Sequence, residues 1–570
     1  MGMADLPELI APLADLRRRR TAPLVLELDL TEGTTDEPPG PPLAQVLTRR
    51  RERLTDIVEG LRRGARDPRV GGVLAKIGGA PAGLAAVQQI RDAVADFRAS
   101  GKPAVAWSES IGDFGPGTVG YYLAAAFGEI ALAPTGTVGL TGLALNALFL
   151  RGAFDKAGVR PETAARHEYK TAVNTFTEHD YTAAHRAAAE GLLESLSEQV
   201  RTGIAADRGL EPGRVAELAA RAPLTAAEAL EAHLVDRLAY RDEVYADLLE
   251  RIGHGGPEPV LRFASRYNRH RATAEHLGPR PGNGQIALVG VHGQIHSGHS
   301  RRSPTGRTTA GAETVSAALR AARRDTSVRA VVLRVDSPGG SHSASDAVRR
   351  EVRLTGEAGK PVVVSMGDVA ASGGYYISLG ADRIVAQPGT VTGSIGVFIA
   401  KPDAQGLLER LGIGYGTVDS DPHAGMFSTA RPFTDSEWER VDALLDVVYA
   451  DFTEKVARAR GLDADQVDRL ARGRVWSGAQ AHERGLVDAL GGLETAVRLA
   501  RSLAGAPHAP LRPYPRTGPL DRLRPAESSE ERSAAARTRL DAWGPLAELS
   551  ARAGLPAAGP LVLPGDWEVR

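Results

Sequence analysis

The sequence predicts an α/β protein made of two tandem repeats, each a mostly parallel sheet covered by helices. Three observations predict it: the length, a self-similarity whose period is that of a whole domain, and short apolar runs that alternate with helix-like stretches. At 570 residues the chain exceeds what one hydrophobic core serves, which sets an expectation of two to four domains. With 42% hydrophobic and 24% charged residues its composition is that of a folded soluble protein.

The self-similarity narrows the domain number to two. Asp67-Pro68-Arg69-Val70, ahead of GGVLAKI, is echoed 258 residues later by Asp325-Thr326-Ser327-Val328 ahead of RAVVLRV. Gly101-Lys102-Pro103 returns as Gly359-Lys360-Pro361 at the same offset, and Gly120-Tyr121-Tyr122 returns as Gly374-Tyr375-Tyr376 at offset 254. Gly136-Thr137-Val138 recurs as Gly389-Thr390-Val391 at 253, and Leu234-Val235-Asp236 as Leu486-Val487-Asp488 at 252. The expected layout is an N-terminal extension over 1–20, a first repeat over 21–253, a Gly-, Pro- and His-rich linker over 254–284, a second repeat over 285–505, and a Pro/Arg-rich tail over 506–570 with a helix at Ala535 to Ala553.

Within the second repeat, Val331 to Val335 and Val362 to Ser365 are β-branched runs, separated by Ser343 to Thr355, where apolar positions follow a helical spacing. Uniformly apolar short strands joined by helices imply a parallel sheet covered on both faces. Each repeat closes on a capping signature ahead of a helix, Thr225 with Glu228 and Ser477 with Gln480.

Composition removes several function classes. The 69 basic and 70 acidic side chains leave a formal charge of -1, so no overall field favours nucleic acid or anionic lipid. Cys is absent, which excludes disulfides, thiolate zinc sites and a cysteine nucleophile. The 14 His lack paired ligand spacing such as H-E-x-x-H, so neither a metal nor a cofactor is expected. The opening residues lack the basic-then-apolar order of a secretory signal. The longest nearly uncharged stretch, Val138 to Leu150, has 13 residues, short of the roughly 20 that span a bilayer. It reads as a buried strand and helix start, with a membrane-facing rim as the alternative. Arg17 to Arg20 read as a solvated helix end, with contact to anionic lipid as the alternative. The expected location is cytoplasmic or peripherally membrane-associated.

Candidate chemistry gathers in the second repeat. Asp336-Ser337-Pro338-Gly339-Gly340-Ser341 follows a buried strand, and its Pro and paired Gly predict a tight turn with N–H groups free to face a crevice at the strand's carboxyl end. Some thirty residues on, Gly367 to Tyr376 places Ser372 among small residues, between a strand ending near Ser365 and a helix beginning near Gly373. That is the position of a nucleophile on a strand-to-helix turn, with the helix N-terminus offering N–H groups to an oxyanion. On its own a Ser in a Gly-rich turn is usually an N-cap. No His lies near the turn, so the base must come from elsewhere. The chain has seven Lys, and one of them, Lys170, stands in His167-Glu168-Tyr169-Lys170-Thr171-Ala172 of the first repeat. A buried Lys loses its proton near neutral pH and can then accept one from Ser; the alternative is an ordinary surface charge.

Three strings, LRVDSPGGSHSASDAV, GDVAASGGYYISLGADRIVAQPGTVTGSIGV and EYKTAVNTFTEHDYT, together resemble the long, two-repeat bacterial form of the signal peptide peptidase A family, over roughly residues 20 to 505. The resemblance implies a Clp-protease/crotonase-like fold and a Ser/Lys protease, with Ser372 as nucleophile and Lys170 as general base. It also implies an oxyanion hole of Gly339 or Gly340 with Gly373, a homotetramer, and signal-peptide remnants or unfolded apolar segments as substrates. That family's long form commonly begins with a membrane anchor, which is not seen here and favours a broader peptidase role.

The two repeats offer an internal comparison. Aligned on the Tyr pair, Thr118 stands opposite Ser372, and Gly78-Gly79-Ala80-Pro81 has lost the S-P-G-G order. Aligned from Thr171 to Phe176 with Ser428 to Phe433, Phe427 stands opposite Lys170. Each repeat keeps one member of the dyad, which predicts a site at the junction of the two halves. A pairing of Thr118 with Lys170 is a poorer alternative, because the Thr118 turn lacks the paired Gly. A crotonase-like acyl-CoA enzyme and a catalytically silent scaffold are the other readings of the same fold.

Overall fold

The computed structural model describes residues 21–36, 52–79, 82–254, 256–277, 284–302, 308–515, 539–540 and 561–562. The extension over 1–20 with its Arg cluster, and Ala80-Pro81, lie outside them. So does most of the helix expected at Ala535 to Ala553; its two described residues, Arg539 and Leu540, instead form a short strand parallel to Arg301–Arg302.

The chain divides into two compact units. One holds the described residues within 1–144 and 197–280, and the other those within 145–196 and 281–568. In the first, β1 (Leu24–Asp29), β2 (Val70–Lys76), β3 (Ala104–Ser108) and β4 (Glu129–Leu132) alternate with α1 (Leu54–Arg66), α2 (Leu84–Arg98) and α3 (Thr118–Ala125). Next in sequence come β5 (Arg160–Ala165), which belongs to the second unit, and α4 (Ala183–Arg208), whose residues from Ser197 belong to the first. With β6 (Arg237–Leu238) and β7 (Val260–Phe263) the first sheet runs β6-β4-β3-β2-β1-β7, every pair parallel.

The second unit repeats this plan. It contains β8 (Gln285–His292), α5 (Ala312–Arg324), β9 (Val328–Ser337), α6 (His342–Glu357), β10 (Val362–Ala371), α7 (Gly373–Ser378), β11 (Arg383–Ala386), β12 (Val391–Gly393) and β13 (Phe398–Asp403). There follow α8 (Asp435–Arg460), β14 (Val475–Ser477), β15 (Ala489–Leu490), α9 (Leu493–Leu503) and β16 (Leu511–Pro513). Its sheet runs β14-β12-β10-β9-β8-β16, with β11 beside β10 and β15 beside β11. Only the β12–β14 pair is antiparallel.

The uniform apolarity of the central strands follows from burial on both faces. Along β9, Val331, Leu333 and Val335 pack into one core cluster, while Ala330 and Val332 pack with Leu493, Ala496, Val497 and Ala500 of α9. Alternate side chains thus point to opposite, covered faces that suit apolar residues; an exception on β9, Arg334, is buried and donates to Ser365 Oγ and Met366 O.

The repeated sequence anchors perform the same structural tasks twice. Lys102 Nζ donates to the carbonyls of Gly64 and Asp67, each at 2.7 Å, and Lys360 Nζ to those of Ala322 and Asp325 at 3.0 and 2.6 Å. Each cation thereby caps the carboxyl end of α1 or α5, where the helix dipole favours it. Tyr121 Oη donates to Leu234 O at 2.7 Å, and Tyr375 Oη to Leu486 O at 2.9 Å. Asp236 accepts from Ile130 N and Arg208, as Asp488 accepts from Ile384 N and Arg460. Both capping boxes, Thr225 with Glu228 and Ser477 with Gln480, form as the sequence predicts.

Two segments differ from expectation. The stretch read as a linker over 254–284 contains β7, paired to β1 through Leu24 and Val260, and a helix at Ala264–Leu277. Val260-Leu261-Arg262-Phe263 complete the open edge of the sheet, and the flanking Gly and Pro only punctuate the element. After Val138, part of a two-residue strand, no regular structure follows until a helix at Arg151–Ala157. Gly142, at φ +87°, turns the chain, and none of residues 141–150 is buried, so the expected buried helix start is absent there. Among the described residues no helix is long and apolar enough to cross a membrane.

Candidate active site

Ser372 occupies the turn between β10 and α7, fully buried, with φ +52° and ψ -114°. A positive φ is costly for a residue with a Cβ and persists only where its surroundings over-determine it. They do so here through two hydrogen bonds: Ser372 N donates to Gly393 O on β12 at 2.8 Å, and Tyr376 N donates to Ser372 O at 2.8 Å. The two glycines that follow permit close approach of α7 to the Ser337–Gly340 turn. A Cβ on Gly373 would come within 2.8 Å of Ser345 Oγ and 3.0 Å of Gly340 N, and one on Gly374 within 2.6 Å of Ser337 O.

Lys170 reaches this turn from the 145–196 segment. β5 pairs antiparallel with β13, from Ala165 opposite Phe398 to Arg160 opposite Asp403. In that register Glu162 faces Lys401, and the two form a buried ion pair at 3.3 Å. Glu162 also accepts from Phe433 N at 2.7 Å, and Lys401 Nζ donates to Arg431 O at 2.9 Å. Beyond β5, Arg166 N donates to Val397 O and Tyr169 N to Arg472 O, which carries the backbone to Lys170. Gly473, at φ +86°, lies against the Lys170 backbone where no Cβ would fit, and a Cβ on Gly396 would come within 3.2 Å of Lys170 Cδ.

The Lys170 side chain, 2% exposed, ends among hydroxyls. Its Nζ donates to Ser372 Oγ at 3.0 Å, Ser394 Oγ at 3.0 Å and Ser394 O at 3.2 Å, and the Phe398 ring centroid lies 6.0 Å away. Burial, which disfavours the cation, pulls its pKa from 10.5 down to about 7. Near neutral pH much of the amine is therefore unprotonated and able to accept a proton from Ser372.

The structure thus brings Ser372 and Lys170 together and adds Ser394, which the sequence reading did not single out. Ser394 has a φ of +51°, follows directly on β12, and is the neighbour that fixes Nζ. Its signal was present in Thr392-Gly393-Ser394-Ile395-Gly396, a hydroxyl between glycines at the end of the strand beside Ser372.

Of the oxyanion candidates, Gly339 lies at φ +104° and its N–H donates to Ser337 Oγ at 3.1 Å. Gly340 bridges Ile295, and Gly373 opens α7. Leu561–Val562 of the C-terminal tail pair antiparallel with Gly339–Gly340. In the first repeat, buried Thr118 stands inside ordinary helix after Gly117 at φ -121°, and its Oγ1 accepts from Gly142 N at 2.9 Å.

Comparison with known proteins agrees with this arrangement of two repeats. The family described as Peptidase family S49 matches residues 96–253 and 355–506. The chloroplastic serine protease SPPA of Arabidopsis thaliana is 32% identical over 80% of this chain and 66% of its own length. Protease 4 of Salmonella typhi is 34% identical over 79% of this chain and 72% of its own, and Protease 4 of Haemophilus influenzae 32% identical over 79% and 72%. A solved ClpP1 mutant from Listeria monocytogenes aligns with a TM-score of 0.23 at 14% identity, over 37% of this chain and 94% of that one, a likeness too weak to carry weight.

Proposed function

Because the chain belongs to peptidase family S49, a family of serine-type peptidases, we propose that it is an endopeptidase working through a Ser372–Lys170 dyad and an acyl-enzyme. The single observation that carries this reading is the 3.0 Å approach of a buried Lys170 Nζ to Ser372 Oγ. Neutral Nζ takes the Ser372 proton as Oγ bonds to the scissile carbonyl carbon. Ser394 keeps Nζ aimed at that proton. With Gly339 N–H already engaged, the N–H groups of Gly340 and Gly373 receive the developing oxyanion. Collapse breaks the C–N bond, and the ammonium gives its proton to the leaving amine. Water, deprotonated by the same amine, then attacks the ester carbonyl; the acyl C–Oγ bond breaks, and the ammonium returns its proton to Ser372 Oγ, restoring the dyad.

Peptides are proposed to bind as an added strand on Gly339–Gly340, a reading supported by the tail dipeptide that pairs with that edge. Unfolded apolar segments or signal-peptide remnants are the proposed substrates. Association into a homotetramer is proposed with them, supported by exposed apolar side chains at Ile413, Val418 and Phe427, and sedimentation tests it. The decisive comparison for the reaction is wild type against Ser372→Ala on an unfolded apolar peptide, with intact mass measured during turnover. Loss of cleavage and of an acyl adduct in the variant is expected; undiminished cleavage rejects the assignment.

A further inference from the structure

Behind the nucleophile turn lies a cluster of ionisable groups that the reaction above does not use. Tyr376, one helical turn after Ser372, places its hydroxyl 2.6 Å from Asp451 Oδ2, 3.1 Å from Asp346 Oδ1 and 2.5 Å from Lys455 Nζ. Lys455 also pairs with Asp451 and, at 3.1 Å, with Asp346. His342, the first residue of α6 and two beyond Gly340, meets Asp451 through Nε2 at 2.8 Å and sets its ring edge-on to Tyr376 at 5.4 Å. Burial raises the Asp451 pKa, but hydrogen bonds from Lys455, Tyr376 and His342 outweigh it and hold the carboxylate down at about 2. Three elements therefore converge on one phenol: α6 behind the Gly339–Gly340 turn, α7 behind Ser372, and α8.

The first repeat supplies an internal control. The offsets of 258 for α6, 254 for α7 and 252 for α8 put Leu84 opposite His342, Gln88 opposite Asp346, Tyr122 opposite Tyr376, Gln199 opposite Asp451 and Gly203 opposite Lys455. The scaffold persists there. Gln88 Nε2 donates to Gln199 Oε1 at 3.0 Å, and Arg91 stacks on Tyr122 at 3.8 Å as Arg349 lies over Tyr376 at 5.8 Å. The His, Asp and Lys do not persist: an amide pair, a leucine and a glycine fill the same places, and the ion pair between α2 and α4 is instead Arg91 with Asp207 at 2.7 Å. Packing these helices around a tyrosine therefore does not require His, Asp and Lys. The repeat that has them is the one with Ser372.

We infer that His342, Asp451 and Lys455, gathered on the Tyr376 hydroxyl, are positioning residues that lock the Ser372 turn to the Gly339–Gly340 turn so that nucleophile and oxyanion donors keep one geometry. The physical need is specific. Ser372 holds an unfavourable backbone conformation at the head of α7, whose six residues are too few to be stable alone. Charged hydrogen bonds at Tyr376 anchor that short helix from behind, and the same Asp451 fixes His342 at the exit of the glycine turn. The inference rests on Ser372 being the nucleophile.

The test replaces the charges of the cluster by neutral side chains, glutamines as in the first repeat and an alanine where that repeat has Gly203. Asp346→Gln/Asp451→Gln/Lys455→Ala, with His342→Leu and Tyr376→Phe as separate variants, are compared with wild type in kcat, KM, pH profile and thermal midpoint. The triple variant is expected to fold and to lose about tenfold to a hundredfold in kcat, the scale of a small misplacement of reacting groups. KM should stay within about twofold, since the groups touch no substrate. The pH midpoint of the rising limb should not move, because Lys170 is untouched. A folded triple variant with wild-type kcat overturns the inference, and so does a loss accompanied by a shifted pH midpoint. Should the triple variant not fold, wild-type kcat in both His342→Leu and Tyr376→Phe overturns it equally. Ser372→Ala in the same series separates the premises: if it remains active the dyad is wrong, whereas if it is inactive and the cluster variants are unaffected only the positioning role fails.

Discussion

A lysine at 2% exposure, with hydroxyls and a carbonyl as its partners, folds at the expense of its own charge. The sign of the resulting pH dependence follows from the two pKa values. In the unfolded chain Lys170 holds its proton up to about 10.5, and in the fold only up to about 7. Between these limits the unfolded state binds the extra proton, so stability falls as pH drops from 10.5 to 7 and the penalty is then constant below 7. Denaturation of wild type and Lys170→Met across that window should show the wild type losing ground to the variant as pH falls; parallel curves would mean an amine of ordinary pKa. Ser394→Ala should lower kcat about tenfold with little change in KM, because Nζ loses an orienting hydroxyl and not a substrate contact. In the sequence Ser372 and Lys170 stood out only as parts of three motifs that together resemble the family, because a Ser in a glycine-rich turn is more often an N-cap and a lone Lys more often a surface charge. Ser394 did not stand out, since a serine after a strand becomes meaningful only when the strand beside it is known.

Elements explain how the amine arrives. β5 is short, begins Arg-Pro-Glu and is mostly half-buried, so neither alternation nor apolarity announced it. Its register is held by a cross-strand ion pair, Glu162 with Lys401, with side chains 9% and 6% exposed. Lys401→Met strands a buried carboxylate and should cost about 3–5 kcal/mol in chemical denaturation, whereas Glu162→Gln added to it should restore much of that. A double variant no more stable than the single one would mean that the pair is not the constraint. At the other edge, removal of residues 541–570 withdraws the dipeptide paired with Gly339–Gly340 and should raise kcat/KM for peptide substrates by lowering KM. An unchanged KM would remove the tail from the substrate edge. The sequence missed β7 as well, because Gly and Pro flanking Val260–Phe263 outweighed four residues of strand character.

At the scale of the whole molecule, duplication was the most legible feature. Its anchors are structural and therefore had to survive twice: a Lys at a helix end, a Tyr hydroxyl on the Leu-Val-Asp carbonyl, and an Arg on its Asp. Divergence between the copies then marks what is not structural. Thr118 lies in relaxed helix where Ser372 is strained, and a neutral amide pair stands where Asp346 and Asp451 gather around Lys455. Tyr121→Phe and Tyr375→Phe should each cost about 1–3 kcal/mol by leaving a buried carbonyl unpaired, a symmetric loss that calorimetry can check. The proposed reaction depends on activation of Ser372 by the buried, unprotonated Lys170 amine. The measurement that tests it most directly is kcat/KM for an unfolded peptide as a function of pH in wild type and Lys170→Arg. A wild-type limb rising through about pH 7 is expected, with a variant that has no measurable activity at any pH, because guanidinium retains its proton. A variant that cleaves at the wild-type rate, or a wild-type profile with no rise near pH 7, would contradict it.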